Sequence, residues 1–206
     1  MYFARNQKGL AELSPGRRLV VERIAHHLES TKATNVLEVG CASGGNLAAL
    51  NSLKPIAAFG VEPSREAVRV GKENFPSFDL LVGTAEVLPF NDGSMDVVWF
   101  AFCFYLVDRP LLYRVVAEAD RVLKDGGMIA IHDFDPDVPC VRAYSHCPGV
   151  SSYKMDYPGL FLCNPAYSLV EKVSFTQENV EWTSDAQQRL ALWICRKNIE
   201  LGYRQG

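Results

Sequence analysis

The chain has 206 residues, 21 basic and 24 acidic side chains, a net charge of −3 and an apolar content of 48%. That length suits one domain with a substantial buried core, and the balanced composition excludes a disordered or fibrous protein. The lack of a basic excess argues against a nucleic-acid partner, no apolar run is long enough to span a bilayer, and the polar N-terminus lacks the core of an export signal, so a soluble, cytoplasmic protein is expected.

The elements follow in chain order. Ser14 is an N-cap candidate with Pro15 in the first turn, and Val20, Ile24 and Leu28 form an apolar stripe at helical spacing. Asn35 to Val39 reads as a strand ended by Gly40, and Gly44 to Leu53 as a helix carrying Leu47, Leu50 and Leu53. Ile56 to Val61 is a second strand, followed by a helix capped by Ser64 with Ala67, Val68, Gly71 and Phe75 on one face. Phe78 to Val82 is a third strand, and Met95 to Cys103 is an unbroken apolar run that suits a strand covered on both faces. A helix is predicted over Arg109 to Leu123, capped by Asp108 and stopped by Gly126 and Gly127. Met128 to Phe134 is the fifth strand. Residues 135–166 show little periodicity, and Tyr167 to Phe175 and Arg189 to Lys197 read as a final antiparallel pair. Alternation of this kind predicts a single α/β domain over 1–206, a doubly wound Rossmann-like sheet that is mostly parallel with an antiparallel C-terminal edge. Within it, 1–34 is expected to be a helical lid, 35–134 the cofactor-binding core, and 135–206 the acceptor-site loop and final strands. The six cysteines show no C-x-x-C pair and read mostly as buried small hydrophobes rather than disulfides.

The chemistry concentrates at the first strand's end, where Glu38 precedes Gly40-Cys41-Ala42-Ser43-Gly44-Gly45-Asn46. A glycine-bearing turn entering a helix lets a ligand approach the backbone and presents amide donors to it. Glu38 can orient those amides or hold an amino group. The dinucleotide fingerprint G-x-G-x-x-G fails at Ala42, which counts against a nicotinamide-dependent reductase. Glu62, at the end of the second strand, stands where an acidic residue accepts hydrogen bonds from paired ribose hydroxyls.

The segments VLEVGCASGGNL, FGVEPSREAV, GTAEVLPFNDGSMDVVWFAF and RVLKDGGMIAIHDF, in this order, resemble the successive motifs of class I S-adenosylmethionine-dependent methyltransferases of type 11, over about Val36 to Phe134. The resemblance implies S-adenosylmethionine as cofactor. It implies that Gly40, Cys41, Ala42 and Gly44, with Glu38 and Asn46, line its methionine part. It places Glu62 on the ribose, Pro63 and Ser64 beside the adenine, and Thr84, Ala85 and Glu86 at the adenine edge. Phe100, Ala101 and Phe102 match the segment beneath the sulfonium, and Tyr105 matches a position often held by His. Thr84 stands where many relatives carry Asp, and Ala42 where glycine is frequent.

A base is useful for a hydroxyl acceptor, and His132 and Asp133 are the candidates, with Tyr105 beside them. Strand alternation sends His132 and Asp133 to opposite faces, so one at most meets the pocket. Asp135 and Asp137 extend the acidic series, but no second ligand cluster accompanies it and no metal is expected. Tyr153, Lys154 and Tyr157, with Tyr2, Phe3 and Arg5, are the candidate acceptor-binding residues. The expected activity is methyl transfer to a hydroxyl or amine of a small molecule, metabolite or sugar-derived, by a monomer or homodimer. The alternative is a protein of this fold that binds the cofactor without transferring a methyl group.

Overall fold

The structure, a computed structural model, describes residues 13–29, 34–144 and 146–203. Its elements are α1 (Pro15–Glu29), β1 (Asn35–Val39), α2 (Gly45–Leu53), β2 (Ala57–Glu62), α3 (Arg65–Asn74), β3 (Asp79–Val82), β4 (Met95–Ala101), α4 (Leu112–Val122), β5 (Leu123–Phe134), β6 (Cys140–Ala143), β7 (Ser151–Lys154), α5 (Gly159–Leu162), β8 (Tyr167–Phe175), β9 (Leu190–Lys197) and α6 (Ile199–Gly202). Seven strands form one sheet in the order β3-β2-β1-β4-β5-β9-β8. β1 to β5 pair in parallel, and β9 runs antiparallel between β5 and β8. The order reverses between β1 and β4, which opens a crevice at the carboxyl ends of these strands.

Side-chain alternation divides the core into two layers. Val36, Val97, Trp99, Met128, Ala130, Leu192 and Ile194 face the layer of α1 and α2, where Val20, Ile24, Leu47 and Leu50 are buried. Leu37, Val39, Val98, Phe100, Ile129, Ile131 and Trp193 face α4 and α5. The strands are therefore apolar on both faces, as a doubly covered parallel sheet requires. α1 is pinned to the C-terminal edge by Glu171 of β8, which pairs with Arg23 at 2.5 Å and His27 at 2.7 Å.

Several boundaries differ from the sequence reading. β4 ends at Ala101 rather than Cys103, because Phe102 takes a left-handed backbone (φ 58°) that no strand continues. The helix expected from Arg109 begins at Leu112 after a 3-10 turn at Arg109–Leu111, and Asp108 makes no side-chain cap bond to it. Residues 135–166 are not irregular throughout: β6 and β7 form a separate two-stranded hairpin, and α5 follows it. The cysteines are all free, but of the six only Cys41 and Cys195 are buried, and Cys147 and Cys163 are exposed. Among the described residues no helix is long and apolar enough to cross a membrane.

α3 crosses the β1–α2 turn at Gly71, where an added Cβ would lie 2.5 Å from Leu80 Cδ1 and 2.9 Å from the Ser43 carbonyl oxygen. A helical Gly→Ala change elsewhere gains up to about 1 kcal/mol of propensity. Here the clash with backbone outweighs it, and Gly71→Ala is expected to lose about 1–3 kcal/mol by overpacking. Urea unfolding of the two proteins measures the difference.

Candidate cofactor and acceptor site

The site is built on the chain's exit from β1. Gly40, Ala42 and Gly44 all have left-handed backbones, at φ 75°, 47° and 80°. Glycine reaches this region without strain and alanine does not, so Ala42 must be held there. Its amide donates to Glu62 Oε2 at 3.0 Å, while Glu62 Oε1 accepts the Ser64 amide at 3.0 Å. The amides of Gly40 and Cys41 both donate to the Val61 carbonyl, at 2.8 and 3.2 Å. The ends of β1 and β2 are thus tied into one rigid corner. A Cβ on Gly40 would sit 2.9 Å from Cys103 Cβ, so that position admits no side chain. Ser64, besides meeting Glu62, caps α3 through the Ala67 amide at 3.2 Å.

Glu38 lies beneath the turn and is buried. Asn46 Nδ2 donates to its Oε1 at 2.5 Å, and Arg17 of α1 in turn donates to Asn46 Oδ1 through Nε at 3.2 Å and Nη2 at 2.5 Å. Glu38 Oε2 has no partner. Burial, only partly offset by Asn46 and the Arg17 charge, pushes the carboxyl up to about 8.

These residues open on a cavity of about 1280 Å³. Its walls include Glu38, Gly40, Cys41, Ala42 and Asn46 from the turn, Leu13 and Arg17 from the start of the chain, and Ala101, Phe102 and Tyr105 after β4. His132 and Phe134 come from β5, and Arg142, Tyr144, Ser152 and Lys154 from the hairpin. Phe102 is the hub of an aromatic wall, with ring centroids 4.9 Å from Tyr105, 4.9 Å from Phe134 and 5.4 Å from His132. Its left-handed backbone, held by the Phe102 amide on the His132 carbonyl at 2.7 Å, aims that ring inward.

The two candidate bases part as alternation requires. His132 faces the cavity, its Nε2 unpartnered, and burial with the Arg17 charge lowers it to about 3, so the ring is neutral at physiological pH. Asp133 faces the α4 layer, out of the cavity. Its Oδ2 accepts the Tyr105 amide at 3.3 Å and its Oδ1 the Phe134 amide at 2.8 Å, and burial raises it to about 7. It positions the backbone beneath Tyr105.

Other expected site residues also fall away from the cavity. Phe100 is packed on Phe104 with ring centroids 4.0 Å apart, one residue out of phase with Ala101. Tyr157 is fully buried against Phe104 and donates to the Tyr153 carbonyl at 2.5 Å, and Tyr153 lies under the Arg109 guanidinium at 4.4 Å. Gly44, Glu62, Pro63, Ser64, Thr84, Ala85 and Glu86 form no part of the cavity wall. Tyr2, Phe3 and Arg5 lie outside the described residues. Asp135 and Asp137 are taken up by cations: Arg189 bonds both, and Lys172 pairs with Asp135 at 2.9 Å. Among the described residues, no three His, Cys, Asp or Glu side chains are grouped to hold a metal.

Arg17, Arg142, Tyr144 and Ser152 were not among the residues expected at the site. A Pro148-Gly149 pair between alternating segments was the available signal for the hairpin that carries three of them.

Comparison with known proteins agrees with this geometry. Residues 37–131 match the profile of a family described as "Methyltransferase domain". Over these residues, a little under half of the chain, the protein is similar to class I methyltransferases of type 11. The chain is similar to a phthiotriol/phenolphthiotriol dimycocerosates methyltransferase of Mycobacterium ulcerans, 35% identical over 55% of this chain and 42% of the relative. It is also similar to a demethylmenaquinone methyltransferase of Renibacterium salmoninarum, 32% identical over 57% of this chain and 47% of the relative. The chain therefore spans less than half the length of these two relatives. Its fold resembles that of the Burkholderia thailandensis 1,6-didemethyltoxoflavin-N1-methyltransferase, solved with its substrate and S-adenosylhomocysteine, at a TM-score of 0.68 and 15% identity over 88% of this chain and 78% of that one.

Burial of Glu38 makes stability depend on pH. The folded state holds the Glu38 proton more tightly than the unfolded chain, so its stabilisation is complete below about pH 4.5 and is lost as pH rises toward 8. Glu38→Gln removes that dependence. The variant is expected to be more stable than the parent at about pH 8, by about 2–4 °C in Tm for each kcal/mol, with the gap closing toward about pH 5. Thermal melts across this range check it.

Proposed function

We propose that the protein transfers a methyl group from S-adenosylmethionine to a hydroxyl or amine of a small molecule in the cytoplasm. The observation that carries the reading is the left-handed turn at the end of β1, with the buried carboxylate Glu38 beneath it. Glu38 Oε2 is a buried acceptor without a donor, and an ammonium group is the donor that would satisfy it. A Cβ built at Gly45 meets nothing within 4 Å, leaving room beside the backbone for a ligand. The residues thus fit an amino-acid-bearing cofactor. Glu62 keeps a free lone pair on each oxygen after accepting its two amides, which suits paired ribose hydroxyls, and the adenine would extend toward Ser64 and Thr84 through Glu86.

When bound, S-adenosylmethionine supplies the activated methyl group and its leaving sulfide. The chain's residues supply position and surroundings. Phe102, Tyr105 and Phe134 present ring faces that favour a cation and exclude water. His132 stays neutral at any pH well above 3, too weak a base to remove a proton, and its Nε2 can serve as a hydrogen-bond acceptor that orients the acceptor's hydroxyl or amine. Arg17, through Asn46, couples the core-packed helix α1 to Glu38 and so holds the cofactor end of the cavity in place. The names of the three methyltransferases compared above each specify a non-macromolecular acceptor, and the cavity is of a scale for a small molecule.

Calorimetry tests the reading. S-adenosylmethionine and S-adenosylhomocysteine are expected to bind at micromolar concentration while NADH does not. Because an ammonium at Glu38 would ionise a carboxyl that is mostly protonated at neutral pH, binding is expected to release a proton. The apparent enthalpy then varies with the ionisation enthalpy of the buffer. In Glu38→Gln the proton release disappears and affinity falls about tenfold or more. Absence of binding by both sulfur ligands in folded protein would refute the proposal.

A further inference from the structure

The hairpin β6–β7 contributes a second set of groups to the cavity, and their chemistry differs from that of the turn. Its register pairs Cys140 with Lys154 and Arg142 with Ser152. Cross-strand partners and residues two apart share a face, so Arg142, Ser152 and Lys154 stand together, and all three line the cavity. Val141 and Tyr153 face the other way: Val141 is exposed and Tyr153 lies on Arg109.

Lys154 is buried in this wall, with Nζ 3.7 Å from the Phe134 ring centroid and 3.3 Å from the Gln187 carbonyl oxygen. Among the described residues no carboxylate forms an ion pair with Lys154 or Arg142, whereas Arg189 and Lys172 both pair with Asp135 just after β5. The Arg142 charge adds to desolvation in lowering the Lys154 pKa. Lys154 feels the charges of Asp133 and Asp185 without pairing with either, and Arg142, on the exposed strand β6, has no ion pair among the described residues, so the two neighbouring cations on the wall can take an anion. Glu178, also on the wall, is exposed on the β8–β9 connection. The buried acid of the cavity, Glu38, lies beside the turn and is linked through Asn46 to a third lining cation, Arg17.

From these cations and the rings beside them we infer that the acceptor is an aromatic acid, its carboxylate or phosphate held by Lys154 and Arg142 and its ring against Tyr105, Phe134 and Tyr144. The inference rests on the cofactor-and-acceptor reading above and names its substrate class. Tyr144 stands 6.0 Å from Tyr105 and Phe134 5.2 Å from Tyr105, centroid to centroid, so the three rings form a continuous wall. Along that wall Lys154 meets Phe134, Phe134 meets Phe102, and Phe102 meets His132. An acid group at Lys154 and a reacting hydroxyl or amine at His132 are therefore separated by two rings, a span suited to a substituted aromatic molecule. Ser152 can add a hydroxyl donor to the acid group, although its Oγ also approaches the Arg142 carbonyl at 3.4 Å.

The test is a set of matched titrations. Protein loaded with S-adenosylhomocysteine is titrated with para-hydroxybenzoate and phenyl phosphate, and with the neutral counterparts para-hydroxybenzamide and phenol. At least one acid is expected to bind about tenfold or more tightly than its neutral counterpart; which acid does so separates carboxylate from phosphate. Lys154→Met, which keeps the apolar stem over Phe134, and Arg142→Gln should each erase most of that preference, and Lys154→Arg should retain it. Equal affinity for acids and neutral counterparts, no binding of either acid, or a preference that persists in Lys154→Met overturns the inference. The titrations are repeated without S-adenosylhomocysteine. Failure to load then counts against the cofactor reading alone, while the acid preference still reports on Lys154 and Arg142.

Discussion

Everything in this molecule depends on how the chain leaves β1. Within five residues the backbone enters the left-handed region at Gly40, Ala42 and Gly44, a conformation that costs about 1–2 kcal/mol at a residue with a Cβ. The corner exists because other groups over-determine it: the Val61 carbonyl takes two amides, and Glu62 takes a third along with that of Ser64. Glu62 is therefore structural before any ligand arrives. The same carboxylate that suits a ribose also clamps β1 to β2, so cofactor affinity and corner rigidity are coupled in one side chain.

A second constraint is the phase of β5. Even-numbered residues from Met128 onward face α1 and α2, odd-numbered ones face α4. This sends His132 and Phe134 into the cavity and turns Asp133 onto the amides of Tyr105 and Phe134. Two adjacent titratable residues thereby acquire opposite duties. The histidine is desolvated and stays neutral, and the carboxyl is desolvated and held near neutrality by its position. A slip of one residue in the β4–β5 register would exchange them.

Much of the parallel half was legible before the structure. The strands β1, β2 and β3 and the cap at Ser64 follow from apolar runs, turn residues and capping chemistry, because those signals are local. The glycine turn and Glu62 were legible for the same reason. Phe100 and Tyr157 turn away from the cavity because the face of β4 that meets it, and the packing of the β7–α5 connection onto Phe104, are set by tertiary contacts that neighbouring residues do not record. Residues 135–166 looked irregular because the hairpin is short and mostly exposed on one face, and a strand with little apolar content leaves a weak alternation.

The sequence by itself determined the doubly wound class, the β1 turn with Glu38 and Glu62, and the antiparallel pair at the C-terminus, because each is written in neighbouring residues. Only the tertiary structure decided that β9 enters between β5 and β8, that α1 reaches Glu38 through Arg17 and Asn46, and that the hairpin carries Arg142 and Lys154 to the cavity wall. Those relations join residues far apart in the chain: Arg17 meets Asn46 across 29 positions, and Lys154 reaches the Gln187 carbonyl across 33. Strand pairing and burial set them, and local propensity carries no record of either.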